Sequence, residues 1–166
     1  MDYETFATNF NGICKAKDIV HERSGEANVI RLYVLTYGAK SNTVSTANQT
    51  LKDNLLEYLN KYKMLTDWLE ILDGSIYHVN FSGSVRVSKG FNIDSVLLKI
   101  REALAVFMNV DTRDMGQPLR ISDVYSLIDN IEGVDFVELD NPVQTITPND
   151  NELLTLGSVN FYGTYS

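Results

Sequence analysis

Hydrophobic residues at the start of the chain recur first at helical spacing and then in strand-like runs. A short helix is predicted behind Asp2, a residue type that caps helix N-termini, and Gly12 stands where a left-handed residue would end it. Strand-like runs follow at 13–21 and 29–37. The polar connection 22–27 contains a glycine, so the two runs are predicted to form an antiparallel hairpin. The purely aliphatic face of the second run consists of Ile30, Leu32 and Val34.

The middle of the chain returns to helical spacing and then alternates. Thr46 and Gln49 have the form of a capping box before an apolar stripe that continues to Tyr62. Residues 68–72 read as a short strand, and Asp73-Gly74 is a turn signal. Residues 76–87 alternate apolar and polar side chains, which predicts a strand with one face in the core. The apolar face of that strand consists of Tyr77, Val79, Phe81, Val85 and Val87.

Two further helices and a strand are predicted between residues 92 and 139. The first helix is capped by Asn92 or Asp94, and Gly116 with Pro118 forbids its continuation. Ser122 is the predicted cap of the next helix, and Gly133 ends it before a strand at 134–139. We therefore assign structural roles to four residues: Gly12, Gly116, Pro118 and Gly133.

The last predicted strand, 153–165, carries rings on both of its faces. If it is regular, at least one of Phe161, Tyr162 and Tyr165 projects away from the core and forms a contact surface, unless both faces are covered within the domain. The element order is α-β-β-α-β-β-α-α-β-β. This order predicts an α+β fold of mixed, mainly antiparallel sheets with amphipathic helices packed on them. The fold is organised as one compact unit or as two small lobes, 1–63 and 64–166.

Charge and composition narrow the classes of partner. The 22 acidic and 14 basic residues give a formal net charge of −8, which repels nucleic acid and anionic membranes. The first residues lack the features of a signal peptide, and no apolar run is long enough to span a bilayer. A single cysteine, Cys14, excludes an internal disulfide and a Cys-x-x-Cys metal site. We expect a soluble protein of a reducing compartment, with no nucleic-acid or membrane partner.

The sequence contains no arrangement of residues typical of catalysis. His21 ends a strand beside Glu22 and Arg23, and His78 has no acidic or cysteine neighbour at ligand spacing, so neither local pattern supplies the partners of a metal or catalytic site. A nucleophilic Cys14 would need a positioned base, and His21 is the one candidate, across a strand, so a core position is expected. Asp111 and Asp114 lack the frame of a calcium loop, and helix capping and solvation explain them. Phosphate-loop and serine-hydrolase motifs are missing as well. We expect no metal, no cofactor and no enzymatic activity.

Short segments, ordered along nearly the whole chain, resemble the baseplate J-like family, the wedge proteins of contractile phage tails and related injection machines. Their order is more specific than any one of them. The segments are Asp2-Tyr3-Glu4, Asn11-Gly12-Ile13 with Ala16, 31–34 with Gly38, 55–59, 77–87, Gly116 with Pro118, Ser122, Val124-Tyr125, Ile128, Gly133-Val134-Asp135, and Leu156-Gly157. Asp-Tyr-Glu lies deep inside typical family members, whereas here it directly follows Met1. On this resemblance we expect a C-terminal fragment or a shortened relative, without the N-terminal part that builds the wedge's main body.

The resemblance implies that the chain corresponds to the C-terminal part of the family. It also implies a non-enzymatic baseplate wedge subunit that is built in the host cytoplasm and resides in the virion tail. Such a subunit associates with itself and with neighbouring wedge proteins. On this interpretation, residues 115–139 form a rigid helix-turn-strand corner that fixes surfaces for assembly. The alternative is a small-ligand-binding α+β module, in which the antiparallel sheet and the helices frame a cleft.

Overall fold

A computed structural model describes residues 2–21 and 28–166. Contacts divide the chain into two units, Met1–Ile76 with Asn149–Leu153 and Tyr77–Pro148 with Leu154–Ser166. Helices combined with mixed sheets confirm the predicted α+β class. The predicted hairpin connection 22–27 lies outside the described residues, but the strands on either side of it do pair antiparallel.

The first unit consists of two helices and a four-stranded sheet. Its elements are α1 (Tyr3–Thr8), β1 (Ile13–His21), β2 (Asn28–Tyr37), β3 (Val44–Ser45), α2 (Gln49–Asn60) and β4 (Asp67–Asp73). Strand β2 is central, because β1 pairs with it antiparallel and β4 pairs with it parallel. Ile30, Leu32 and Val34 of β2 form the core with Leu55 and Leu59 of α2. The aliphatic face predicted for β2 is therefore buried.

The second unit packs two helices on a three-stranded sheet. Its elements are β5 (Ser75–Val87), α3 (Ile93–Phe107), α4 (Ile121–Asp129), β6 (Val134–Asn141) and β7 (Glu152–Tyr165). The strand order is β6-β5-β7, and β5 and β6 are antiparallel. Strands β5 and β7 run in the same direction, because hydrogen bonds join His78 to Thr155 at one end and Val87 to Ser166 at the other.

The alternating pattern of β5 correctly identifies its core-facing residues, with one exception. Val79, Phe81, Val85 and Val87 are almost completely buried and belong to one cluster with apolar residues of α3, α4, β6 and β7. Tyr77, predicted on the same face, is instead 47% exposed. Alternation shows to which face of the sheet a side chain points. It does not show how far the helices extend over that face, so it does not reveal that Tyr77 is exposed.

Side-chain caps begin three of the four helices in the described residues, and two predicted caps are wrong. The carboxylate of Asp2 and the amide of Asn92 accept hydrogen bonds from the third residue after each, as predicted. At α2, however, the cap is Asn48, whose side chain accepts from the Leu51 N–H at 2.8 Å, so the capping box starting at Thr46 does not form. Ser122 lies inside α4, which begins at Ile121 without a side-chain cap.

Strand β4 is the element on which the predicted lobes and the observed units differ. A division between residues 63 and 64 places β4 in the C-terminal lobe, whereas in the structure it pairs with β2 in the first sheet. The paired residues are far apart in sequence, as with Arg31 and Glu70. Parallel pairing across a helix leaves no local turn signal, so the sequence pattern does not reveal it. Asp73-Gly74 accordingly does not close a hairpin.

Candidate functional site

The turn between α3 and α4 is held by a buried arginine. Gly116 adopts a left-handed conformation with φ of +79°, and the Arg113 guanidinium donates to the carbonyl oxygens of Gln117 and Pro118 at 3.3 Å each. Arg113 is 3% exposed, and this burial lowers the pKa of its guanidinium. No sequence signal identifies Arg113, because an arginine between two aspartates has the pattern of a solvent-exposed loop.

Gly133 is required by the packing of the corner at 115–139. It lies four residues beyond the end of α4 with φ of +97°, and a Cβ there would lie 2.9 Å from the Phe91 ring. Gly12 has the same left-handed backbone, with φ of +99°, between α1 and β1. Gly12 and Gly133 therefore each connect a helix to the strand that follows it, at positions that disfavour any other residue.

Asp135 links the ends of all three strands in the second sheet. It lies on β6, and its carboxylate accepts hydrogen bonds at 2.5 Å from the Ser166 hydroxyl, just after β7, and from the Ser88 hydroxyl, just after β5. These two hydrogen bonds lower the pKa of the Asp135 carboxyl. A charged acceptor in a surface position thus fixes Ser166, just after β7, against the neighbouring strands.

An apolar groove lies between α3 and β7. Its volume is about 370 Å³. The helix side consists of Asp94, Leu97, Leu98 and Arg101, and the strand side of Val159 and Phe161. The helix and strand approach closely near one end, because a Cβ on Gly163 would lie 2.3 Å from the Ile93 side chain. Leu98 is 55% exposed, which leaves an apolar side chain on the rim of the groove.

The three rings predicted as an interface occupy different environments. Phe161 is half-buried against the core of the second unit. Tyr162 projects away from that core and is 71% exposed, while Tyr165 is 54% exposed and donates its hydroxyl to the Phe91 carbonyl oxygen at 3.1 Å. Phe136 of β6 lies on the same face of the sheet as Tyr162. It is 54% exposed and pairs with Arg86 of β5. The interface role of these rings stays a prediction.

His78 and Cys14, two residue types that often take part in catalysis or metal binding, have contacts or burial that suit a structural role. The Nδ1 atom of His78 lies 2.9 Å from the Thr155 hydroxyl, and Cys14 is buried. The side chain of His21 lies outside the described part of the chain. Within residues 2–21 and 28–166, no cluster of three histidine, cysteine or acidic side chains has the arrangement of a metal site. In the same residues, no helix combines the length and apolar character needed to cross a bilayer.

Each residue of Asp2-Tyr3-Glu4 helps to hold the N-terminal end of the first unit in place. Asp2 caps α1. The Tyr3 hydroxyl donates to the buried Asp67 carboxylate at 2.6 Å, and burial together with this contact raises the pKa of Tyr3 to about 12. Glu4 accepts from the backbone N–H of Asp18 at 3.0 Å and pairs with Lys17 at 3.3 Å. This tripeptide therefore ties α1 to β1 and β4.

Two carboxyl groups, Glu4 and Asp18, meet where α1 packs on β1. Burial, assisted by the hydrogen bond and charge of Glu4, raises the pKa of Asp18 to about 6. Burial alone would raise the pKa of Glu4 too, but hydrogen bonds from Asp18 and the charge of Lys17 lower it. The pair therefore binds a proton at Asp18 more readily than at Glu4.

Replacing Asp18→Asn is expected to make the first unit relatively more stable at neutral pH. A carboxyl whose pKa rises on folding contributes stability that is complete below its unfolded pKa and is lost as pH rises through about 6. The wild type should therefore lose about 1 kcal/mol relative to the variant between about pH 4 and pH 7, a value reduced for partial exposure. Urea denaturation at several pH values measures the difference, with Glu57→Gln as the surface control. A pH-independent difference would contradict the pairing.

Comparison with known proteins identifies a family and solved structures of similar fold. Residues 79–162 match the family model described as Baseplate J-like protein C-terminal domain, a range that includes the 115–139 corner but excludes Asp2-Tyr3-Glu4. The fold is similar to that of a chain in the cryo-EM structure of the anti-feeding prophage (AFP) baseplate, 6-fold symmetrised, with a TM-score of 0.60 and 9% identity. That similarity covers 96% of this chain and 36% of the other, and it concerns the fold alone. No curated protein sequence matches.

Proposed function

The chain belongs to the baseplate J-like family, and on this basis we propose that it is a structural subunit of a contractile-tail baseplate wedge. It works by associating with copies of itself and by docking to neighbouring baseplate proteins, and it catalyses no reaction. The particle is a phage tail or a related injection machine, assembled in the host cytoplasm. The family match over half of the chain is the observation that carries this proposal.

Exposed apolar side chains support a role in assembly. They recur within the stretch 62–72, which leads from α2 through β4: Tyr62, Met64, Leu65, Trp68 and Leu72. Single exposed apolar residues are ordinary, but several close together are typical of contact surfaces. Stable protein contacts bury on the order of 1,600 Å² in total, an area that such surfaces supply without a sequence motif.

Reconstitution tests the proposed function. The purified chain is mixed in turn with each of the other baseplate proteins of its particle, and mass photometry counts the complexes. We expect a complex with at least one baseplate protein, and cross-linking of intact particles should connect the same pair. Absence of the chain from purified baseplates, together with monomeric behaviour in every mixture, would contradict the proposal.

The groove between α3 and β7 favours one second candidate, a small-ligand-binding module. Its volume of about 370 Å³ falls within the range of small-molecule sites. A ligand present at one hundred times its dissociation constant would stabilise the protein by about 2.7 kcal/mol. A thermal-shift screen of metabolites therefore separates the two functions, and we expect no such shift for a wedge subunit.

A further inference from the structure

We propose that two copies of the chain pair along the open edge of β7, with their α3 helices side by side and antiparallel. In this arrangement Asp94 of each copy meets Arg101 of the other. The inference rests on the proposed function, because it names the surface through which the subunit associates with itself. Three features carry it: the edge of β7, the outward flank of α3, and the order of charges along that flank.

Strand β7 has one paired edge and one open edge within the described sheet, whose order is β6-β5-β7. The Ser158 N–H donates toward β5, to the Asn80 side chain at 2.9 Å. Backbone groups alternate in direction along a strand, so the N–H and C=O groups of Val159 and Phe161 point to the open edge. Arg101 of α3 reaches the Val159 carbonyl oxygen at 3.5 Å, as expected for an outward-facing group. Such an edge is a template for pairing with another strand.

The flank of α3 that borders this edge carries Asp94, Leu98 and Arg101. These residues are spaced by four and three positions, so they form one stripe along the helix. The opposite side of the helix layer is occupied by α4, which packs on β6, on the far side of β5 from β7. The stripe therefore lines the groove beside β7. All three side chains of the stripe are exposed.

The charges of the stripe match those of the same stripe in a second copy that runs antiparallel to it. Asp94 and Arg101 are seven residues apart, about 10.5 Å along the helix axis, and the midpoint between them falls at Leu97 and Leu98. A two-fold axis at that midpoint brings each carboxylate to the guanidinium of the second copy. It also brings the two exposed Leu98 side chains together. A parallel arrangement would instead place like charges side by side, which is unfavourable.

The same two-fold axis also allows β7 to pair antiparallel with β7 of the second copy. Ile93 contacts β7 at Gly163 and Arg101 contacts it at Val159, so the middle of α3 lies beside residues 160–161. A pairing centred on Asn160 places Val159 opposite Phe161 of the second copy, and the edge groups of these two residues then exchange hydrogen bonds. The two sheets become one six-stranded sheet. Such a contact buries on the order of 1,000 Å², at the low end for stable complexes.

Charge reversal tests the pairing. Asp94→Arg places two arginines in the stripe and Arg101→Asp places two aspartates there, so each variant repels itself. Sedimentation equilibrium at low salt should show that each variant dimerises at least about tenfold more weakly than the wild type. An equal mixture of the two variants should recover dimers, because every pair across the axis then joins opposite charges. The double variant Asp94→Arg/Arg101→Asp should recover them too.

Lys99→Glu is the matched control, because Lys99 is exposed on α3 and stands one position from Leu98 and two from Arg101, spacings that place it off the stripe. It should dimerise as the wild type does, and circular dichroism establishes that all variants fold. Dimers that persist in both single variants, or a mixture that fails to recover them, would overturn the proposed surface. A wild type that stays monomeric but binds other baseplate proteins would also overturn it and leave the wedge function standing. Loss of both kinds of association would contradict the wedge function itself.

Discussion

Phe81→Ala is expected to lower the free energy of unfolding of the second unit by about 3–5 kcal/mol. Phe81 is completely buried at the centre of β5, in the cluster that joins the sheet to α3 and α4. Removing its ring forfeits the transfer free energy of the ring and leaves a cavity that the surrounding side chains fill only partly. Hydrogen exchange of the α3 and α4 amides measures the loss in this unit specifically.

Phe136→Ala is the matched control for this prediction. Phe136 lies in the same sheet, on the face opposite to the buried Val137 of β6, and is 54% exposed. The substitution should change the free energy of unfolding by no more than about 0.5 kcal/mol. Equal losses in the two variants would mean that the outer face of this sheet contributes as much packing as the inner one. Because Phe136 is exposed, its ring is also available for contacts with other subunits.

The contrast between these two phenylalanines shows how much of the fold the sequence can reveal. Alternation along 76–87 identifies both the strand and its buried face, because a period of two leaves the chain few other options. Helical stripes locate α2, α3 and α4 equally well. The parallel pairing of β4 with β2 is different in kind. It depends on contacts across the intervening helix, and no local pattern records them.

The candidate surface was only partly predictable for the same reason. Aromatic residues on both faces of the last strand do indicate that a ring projects outward, and Tyr162 does so. The groove, by contrast, lies between elements that are distant in sequence, because the charges at its ends belong to a helix some sixty residues before the strand. Arg113 is the extreme case, since only the folded turn gives its guanidinium the carbonyl acceptors that allow burial.

Tyr3→Phe should destabilise the first unit by about 2–3 kcal/mol, although it removes a single oxygen atom. The lost hydroxyl donates to Asp67, which is 8% exposed at the start of β4. A buried carboxylate that loses a donor keeps its desolvation cost, so the loss exceeds that of an ordinary hydrogen bond. Urea denaturation followed by the fluorescence of Trp68 reports on this unit alone, because Trp68 is the only tryptophan of the chain.

Tyr62→Phe supplies the comparison, because Tyr62 is 52% exposed and stacks with Phe6 through its ring, which the substitution keeps. Its effect should stay within about 0.5 kcal/mol. Equal effects in the two variants would show that burial of the Asp67 carboxylate does not depend on the Tyr3 hydroxyl.

The contact between Tyr3 and Asp67 should also affect assembly. Asp67 precedes Trp68 and Leu72, so the contact that ties α1 to β4 also fixes the strand on which these exposed side chains lie. A loosened β4 should then weaken partner binding in the same reconstitution assay, without any change to the exposed residues themselves.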